Sequence, residues 1–143
     1  MWLQALHIED AEGTVVDTCS FPAAGGNALL VNGYARNTTI RESEFTHAGD
    51  SAIVTLGYAD KQDGTKGRQP RGTVVEGCVM SDAGVYGKQS AGFSSALAME
   101  TTLRKNIAYN LPRSGFNFND HFGGANTITN NLIFNTVVQK RLS

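Results

Sequence analysis

AAGGNALLVNGYA, residues 23–35, is followed 24 residues later by HAGDSAIVTLGYA, residues 47–59. A phrase that recurs at an interval of roughly 20–50 residues is the signature of a stacked-repeat protein, in which each repeat is one structural unit. If the chain is such a protein, further copies of this unit should be present along it.

A shorter pattern marks five units along the chain. It consists of an apolar residue, two variable residues, a small or amide residue, one variable residue and a second apolar residue. The five copies are VDTCSF from Val16, IRESEF from Ile40, VEGCVM from Val75, LRKNIA from Leu103 and ITNNLI from Ile128. Between them lie four further predicted strands, GNALLVNGY, DSAIVTLGY, AGVYGKQ and SGFNFND. One short strand cannot bury its own apolar face, so we predict an all-β solenoid, a parallel β-helix of about five coils spaced about 4.8 Å apart.

Composition and charge fit one such domain over residues 1–143. The chain is 41% hydrophobic with a net charge of −1, which does not favour binding of nucleic acid through bulk charge. No run of 18 apolar residues is present, so we predict no membrane span. The polar stretch 58–71, YADKQDGTKGRQPR, is predicted as a loop insertion. The last predicted strand has no polar cap after it, so the chain is expected to be part of a longer stack.

The two cysteines share the fourth position of the pattern. Cys19 and Cys78 are then two coils apart, about 9–10 Å, whereas a disulfide requires Cα atoms within about 7 Å. We therefore expect two free, buried thiols. The position as a whole, which reads Cys19, Ser43, Cys78, Asn106 and Asn131, predicts an inner ladder of small and amide side chains.

The repeats resemble right-handed parallel β-helix proteins of the pectin-lyase-like class. More narrowly, GYARN and LPRSGFNFNDHFGG are similar to a group of large β-helix proteins with a Pro-Arg-x-Gly-x-Asn-x-Asn-Asp-x-Phe-Gly-Gly block. The resemblance covers about residues 14–137 and implies a right-handed β-helix and a carbohydrate ligand. It also implies an extracellular or cell-surface location, although the N-terminus shows no secretory signal.

Period-two alternation predicts a polar row on the outer face of the stack. With Phe116 and Phe118 pointing inward, Asn117 and Asn119 point outward. We predict that Tyr86 lies over Asn117 and that Lys88 lies over Asn119, one strand spacing apart. In earlier coils the matching positions are apolar or amide, so the face is expected to change from apolar to polar along the axis.

This row predicts the recognition of an acidic polysaccharide. The expected substrate-binding residues are Gln89, Asn117, Asn119 and Asp120. Elimination next to a uronate carboxylate needs a base, an acid and charge neutralisation, and by resemblance these roles fall to Lys88 or Tyr86 as base, His121 as acid and Arg113 as the electrostatic clamp. Hydrolysis needs two carboxylates about 5–10 Å apart, and no aligned pair is evident, so lyase-type chemistry is favoured.

Two alternatives for the function stay open. The chain is either such a carbohydrate-active protein or a non-catalytic β-helix segment for adhesion, surface display or assembly. No cofactor and no metal-ligating residues are predicted, but calcium is possible because acidic sugars often bind through it. The identity of the sugar and the oligomeric state are not predicted.

Overall fold

Short parallel strands form all the regular structure in residues 4–59, 66–120 and 124–137, which the computed structural model describes. The first two coils contain β1 (Leu6–Ile8), β2 (Ala11–Glu12), β3 (Val15–Asp17), β4 (Ser20–Phe21), β5 (Leu29–Asn32), β6 (Ala35–Arg36), β7 (Thr39–Arg41) and β8 (Glu44–Thr46). The third contains β9 (Ile53–Leu56), β10 (Pro70–Arg71), β11 (Val74–Glu76) and β12 (Val79–Ser81). The fourth and fifth contain β13 (Ala91–Ala96), β14 (Thr102–Arg104), β15 (Ile107–Leu111), β16 (Ser114–Phe118), β17 (Thr127–Thr129) and β18 (Leu132–Thr136).

Strands of successive coils pair in parallel and form three long sheets. The first sheet has the order β1-β5-β9-β13-β16, the second β3-β7-β11-β14-β17 and the third β4-β8-β12-β15-β18. A small corner sheet, β2-β6-β10, lies between the first and second. Each passage of the chain through the three sheets therefore forms one coil, and the predicted parallel β-helix of about five coils is confirmed.

The predicted interior column is present in register. Val16 pairs with Ile40, Ile40 with Val75, Val75 with Leu103 and Leu103 with Ile128. The first four are buried, whereas Ile128 is 51% exposed because it belongs to the outermost of the five described coils. Each coil thus contributes one aliphatic side chain to a continuous apolar axis, which is how strands too short to fold alone become stable together.

The sixth position of the pattern forms a second inner column. Its members, paired along the third sheet, are Phe21, Phe45, Met80, Ala108 and Ile133. The rings of Phe21 and Phe45 stack with centroids 4.8 Å apart, the same as the spacing between strands. Further along the axis smaller side chains replace the rings, and Ile133 closes over the backbone of Gly115, where a Cβ would lie 2.5 Å from its Cγ2.

The fourth position is a hydrogen-bonded ladder, as predicted. The Ser43 hydroxyl accepts from the Cys19 amide at 3.1 Å, and the Asn106 side chain accepts from the Cys78 amide at 2.9 Å. Asn131 repeats the contact to the Asn106 amide at 2.9 Å. Each of these polar side chains accepts a hydrogen bond from a backbone amide of the neighbouring coil, so the amides at this corner are paired within the protein.

Both cysteines are free, which confirms that part of the prediction. Cys78 is buried, but Cys19 is exposed, so the expectation of two buried thiols was wrong for Cys19. The reason is position along the axis: Cys19 belongs to the first coil, which has a neighbouring coil on one side only.

A left-handed residue makes the turn from the second sheet to the third in every coil. Its φ lies between 47° and 63° in all five cases, at Thr18, Glu42, Gly77, Lys105 and Asn130. At Gly77 the lack of a side chain is also required, because a Cβ would lie 2.2 Å from Glu42 Oε1 of the preceding coil. The turn aims the next residue, at the fourth position, into the stack.

The fourth coil departs from the predicted strand AGVYGKQ. Residues 84–87 form a turn under the preceding coil, in which the Tyr86 and Gly87 amides both donate to the Gly49 carbonyl at 2.9 Å. The strand of the first sheet in this coil is β13, which follows it. The alternation of apolar and polar residues did not distinguish this turn from a strand. The turn starts at Gly84 with a positive φ of 73°, and the hydrophobic pattern does not reveal a backbone angle.

The expected insertion lies between β9 and β10. Residues 60–65 of it are outside the described part of the chain. Pro70 pairs with Ala35 and Arg71 with Arg36, so regular coil structure resumes at the end of the stretch. The assignment of one domain to residues 1–143 stays a prediction.

Candidate functional site

The outer face of the first sheet carries a row of side chains that changes character along the axis. In register, this row is His7, Leu30, Val54, Ser94 and Asn117. It is apolar in the second and third coils and polar in the fourth and fifth, as expected. Asn117 therefore lies beside Ser94, with its amide 3.5 Å from the hydroxyl, and the backbone amide of Asn119 bonds the Ser95 carbonyl, so the predicted placements of Tyr86 over Asn117 and of Lys88 over Asn119 were wrong.

A groove of about 400 Å³ runs over this face. Its lining consists of Gln4, Asn27, Leu30, Asn32, Asp50, Ser51, Val54, Leu56, Tyr58, Gln89 and Ser94. Aliphatic side chains form the floor, and amide, hydroxyl and carboxylate groups stand at the two ends of the strands. An apolar surface with a few polar groups at its rim is typical of a small-ligand site.

Tyr58 closes one end of the groove. Its hydroxyl donates to Glu9 Oε1 at 2.9 Å, and the Asn32 side-chain amide donates to the tyrosine oxygen. The bond to the Glu9 carboxylate, followed by burial, raises the pKa of Tyr58 above its usual value. A tyrosine in this state keeps its proton at neutral pH and acts as a hydrogen-bond donor and acceptor.

Two basic side chains face the carboxylate of Glu9. His7 Nε2 lies 3.3 Å from Oε2, and Arg68 Nη2 lies 4.0 Å from Oε1. The Arg68 guanidinium also sits over the Tyr58 ring, 5.1 Å from its centroid. Residues from the first and third coils and from the insertion thus meet at one point, which holds the tyrosine in place.

Gly33 makes room for this cluster. Its φ is +53°, and a Cβ would lie 2.6 Å from Tyr58 Cε2 and 2.9 Å from Glu9 Oε1. Any side chain here would displace the tyrosine or the carboxylate. The glycine of the repeated GYA phrase is therefore required in this coil by a close approach as well as by the backbone.

Asn32 carries an unsatisfied acceptor at the same end. The residue is 7% exposed and lines the groove, and its Oδ1 has no donor among the described residues. A buried carbonyl oxygen without a donor costs roughly 1–3 kcal/mol, so such a group is a candidate for a ligand contact.

Asp50 stands at the opposite end. The buried Ser90 hydroxyl contacts both Asp50 Oδ1 and the Gly87 carbonyl, one of which accepts its proton. The side chains of Gln4 and Gln89 line the groove nearby. The whole of β9 (Ile53–Leu56) lies between Asp50 and Tyr58, which bonds Glu9, so the two carboxylates stand at opposite ends of the groove and do not form the close pair that glycoside hydrolysis requires.

Three of the residues predicted as catalytic, Tyr86, Lys88 and Arg113, are described, and none of them lines the groove. Lys88 donates to the carbonyls of Gly84 at 2.8 Å and Val85 at 3.2 Å, so its ammonium group holds its own turn. Tyr86 in the same turn is 79% exposed. Arg113 is exposed at the corner before β16, and Pro112 next to it packs on Gly84, where a Cβ would lie 2.4 Å from the proline Cγ.

The predicted substrate-binding residues fall into two groups. Gln89 lines the groove, and Asn117 continues the outward row one coil further. Asn119 and Asp120 are exposed after β16 and bond each other at 3.1 Å. His121 lies outside the described residues, so its predicted role as the acid stays a prediction.

Sequence reasoning missed Glu9, Asn32, Asp50 and Tyr58. A usable signal existed for Tyr58, since it occupies the same place as Tyr34 in the repeated phrase. Tyr34 also bonds a carboxylate of the preceding coil, Glu12. Tyr58, by contrast, reaches two coils back to Glu9, so the repeat predicts the position of the tyrosine but not its partner.

Residues 4–59, 66–120 and 124–137 contain neither a cluster of metal ligands nor a membrane-spanning helix. No group of three or more His, Cys, Asp and Glu side chains is placed to hold a metal ion there. In those ranges no helix has the length and apolar character needed to cross a membrane.

Comparison with known proteins gives one match. A family model described as "Right handed beta helix region" matches residues 1–139. No curated protein and no solved structure matches the chain significantly. The family match covers nearly the whole chain and agrees with the arrangement of coils.

Proposed function

Because the chain belongs to the right-handed β-helix family, we propose that it binds a polysaccharide in the groove on the outer face of its first sheet. The observation that carries the proposal is the groove itself, with aliphatic floor residues between two ends rich in hydrogen-bonding groups. Sugar hydroxyls bond amides and carboxylates, while the C–H faces of the rings rest on apolar side chains.

The open length of the groove supports a polymer rather than a single small molecule. The polar groups at its ends, Asp50 and Tyr58, are separated by the full length of β9. A chain of sugars laid along the strand direction reaches both ends and covers Leu30 and Val54 on the way.

A matched pair of variants tests this site. Leu56 in the groove and Ile107 on the third sheet are both strand residues with 38% exposure. Leu56→Ala removes apolar contact worth about 1–2 kcal/mol, so affinity for a bound polysaccharide should fall roughly 5- to 30-fold. Ile107→Ala should leave it unchanged. Affinity electrophoresis in gels that contain single polysaccharides, followed by calorimetry, measures both.

The proposal fails if no polysaccharide in a broad panel of neutral and acidic polymers binds the chain. It also fails if the two variants lose affinity equally, because binding would then not involve the groove.

Elimination chemistry on an acidic polysaccharide is a separate prediction, which does not involve the groove and is supported by the family resemblance alone. Its candidates are Lys88, Tyr86, Arg113 and His121. Absorbance of unsaturated products during incubation with uronate polymers tests it directly. Binding without such products would leave a non-catalytic carbohydrate-binding protein.

A second candidate function, assembly, is favoured by the surface of the fifth coil. Five large apolar side chains of this coil are between 43% and 65% exposed: Ile128, Leu132, Ile133, Phe134 and Val137. Contiguous exposed apolar surface is typical of an interaction site. Sedimentation over a range of protein concentrations tests this: wild type should associate, and Leu132→Lys should not.

A further inference from the structure

We infer that the groove selects a neutral glycan over a uronate polymer; this rests on the proposed function of the same site. The preference for a neutral glycan depends on the charges and the hydrogen-bonding groups that face the ligand.

The described lining of the groove, to which residues 60–65 do not belong, presents one negative charge and no positive one. Among its lining residues Asp50 is the only acid, and none is a lysine, arginine or histidine. A ligand carboxylate placed here would approach a like charge in a partly desolvated groove, where charges interact more strongly than in water.

Three basic side chains described near the groove, those of His7, Arg68 and Lys88, are already in contact with other groups of the protein. His7 and Arg68 face Glu9, and Lys88 bonds two carbonyls of its own turn. Recruiting any of them for a uronate would break an existing contact. The lining residues that the structure describes therefore offer no charge-assisted partner of the kind that recognition of a carboxylate requires.

The unsatisfied groups of the groove need donors. Asn32 Oδ1 is buried without a donor among the described residues, and the Asp50 carboxylate, whose Oδ1 contacts the Ser90 hydroxyl, has the capacity to accept further hydrogen bonds. A hydroxyl both donates and accepts, whereas an ionised carboxylate only accepts. Each hydroxyl of a neutral sugar can satisfy these oxygens, and a hydroxyl converted to a carboxylate loses that ability.

Matched polymers test the inference. Glucan, galactan and mannan are each compared with the same polymer after oxidation of its primary hydroxyls to carboxylates, by calorimetry on the whole chain at low salt. Every neutral polymer that binds should bind at least about tenfold tighter than its oxidised form. Asp50→Asn should raise affinity for the oxidised form several-fold, because one repulsive charge is removed.

Glu44→Gln is the control for net charge, since Glu44 is exposed on the third sheet. It should leave both affinities unchanged. If the oxidised polymers bind as tightly as the neutral ones or more tightly, or if Asp50→Asn and Glu44→Gln act alike, the inference is overturned while the binding function stands. If no polymer of either form binds, the proposed function itself falls.

Discussion

Asn106 illustrates how one side chain replaces the hydrogen bonds that a corner would otherwise lose. It is 1% exposed, accepts from the Cys78 amide, and donates to the Val75 carbonyl and to Asn131 Oδ1 at 2.9 and 3.0 Å. Three coils are thus linked through a single amide. Asparagine suits this role because its short side chain carries both a donor and an acceptor.

Replacement of Asn106 should be costly. Asn106→Ala leaves a buried backbone amide and a buried carbonyl unpaired, so the free energy of unfolding should fall by about 2–4 kcal/mol. Asn119→Ala, on an exposed asparagine whose side chain bonds the neighbouring Asp120, should change it by less than about 0.5 kcal/mol. Urea unfolding followed by circular dichroism measures both, and equal losses would contradict the ladder.

The two thiols should differ sharply in reactivity. Burial raises the pKa of Cys78 to about 11, and its Sγ lies 3.4 Å from the Glu76 carbonyl. The thiolate is the reactive form, so at pH 8 Cys78 stays protonated and inaccessible while exposed Cys19 reacts.

Alkylation with iodoacetamide, followed by mass spectrometry of the peptides, checks this. Cys19 should be modified within minutes and Cys78 only after unfolding in urea. Cys19→Ser serves as the control, because this variant should show no modification in the native state. Modification of native Cys78 at the rate of Cys19 would show that the interior of the stack is accessible.

At the scale of elements, Arg36 fixes the end of the insertion to the coils. Its guanidinium donates to the Gln69 carbonyl and, at 2.7 Å, to the Gly67 carbonyl, and it lies 4.2 Å from the centroid of the Tyr34 ring. The Tyr58 amide donates to the Arg68 carbonyl at 2.8 Å and closes the base of the loop. One arginine thereby connects the corner sheet to the segment that carries Arg68 to the groove.

Loss of this contact should loosen the base of the loop. Arg36→Ala removes two hydrogen bonds from a charged donor, each worth about 1.5–3 kcal/mol, so tryptic cleavage after Lys66 or Arg68 should accelerate at least about tenfold. Arg41→Ala is the matched control, since it also removes one arginine but breaks only an exposed pair with Asp17. Similar cleavage rates in the two variants would refute the role of Arg36.

For the whole molecule, stability should vary along the axis. Strands β11 and β12 have a paired strand on each side, whereas β17 and β18 pair with one strand only. All described residues from 124 to 130 are exposed. Solenoid coils contact only their neighbours, so outer coils open more easily than central ones.

Amide hydrogen exchange measures this gradient. Protection factors in β17 and β18 should be lower than those in β11 and β12 by at least about tenfold. Within each coil the three sheets serve as internal controls, because their amides should be protected to a similar degree. Uniform protection through all five coils would mean that the stack unfolds as one cooperative unit.

The interior of the stack was predictable because its requirements repeat. Val16, Ile40, Val75, Leu103 and Ile128 had to align, since each coil must bury an apolar side chain at the same place. The fourth-position ladder followed from the same register. The turn at residues 84–87 escaped prediction because it is set by backbone contacts with Gly49 and not by the hydrophobic period.

The sequence by itself thus determined the coils, their register and the two inner columns, because burial imposes a period on the chain. Tertiary structure alone decided the groove. Glu9, Asn32 and Tyr58 are 23 to 49 residues apart and meet only because three coils stack with their corners aligned. The outer face has no burial requirement, so its side chains follow no period, and the site they form is visible only after the coils are assembled.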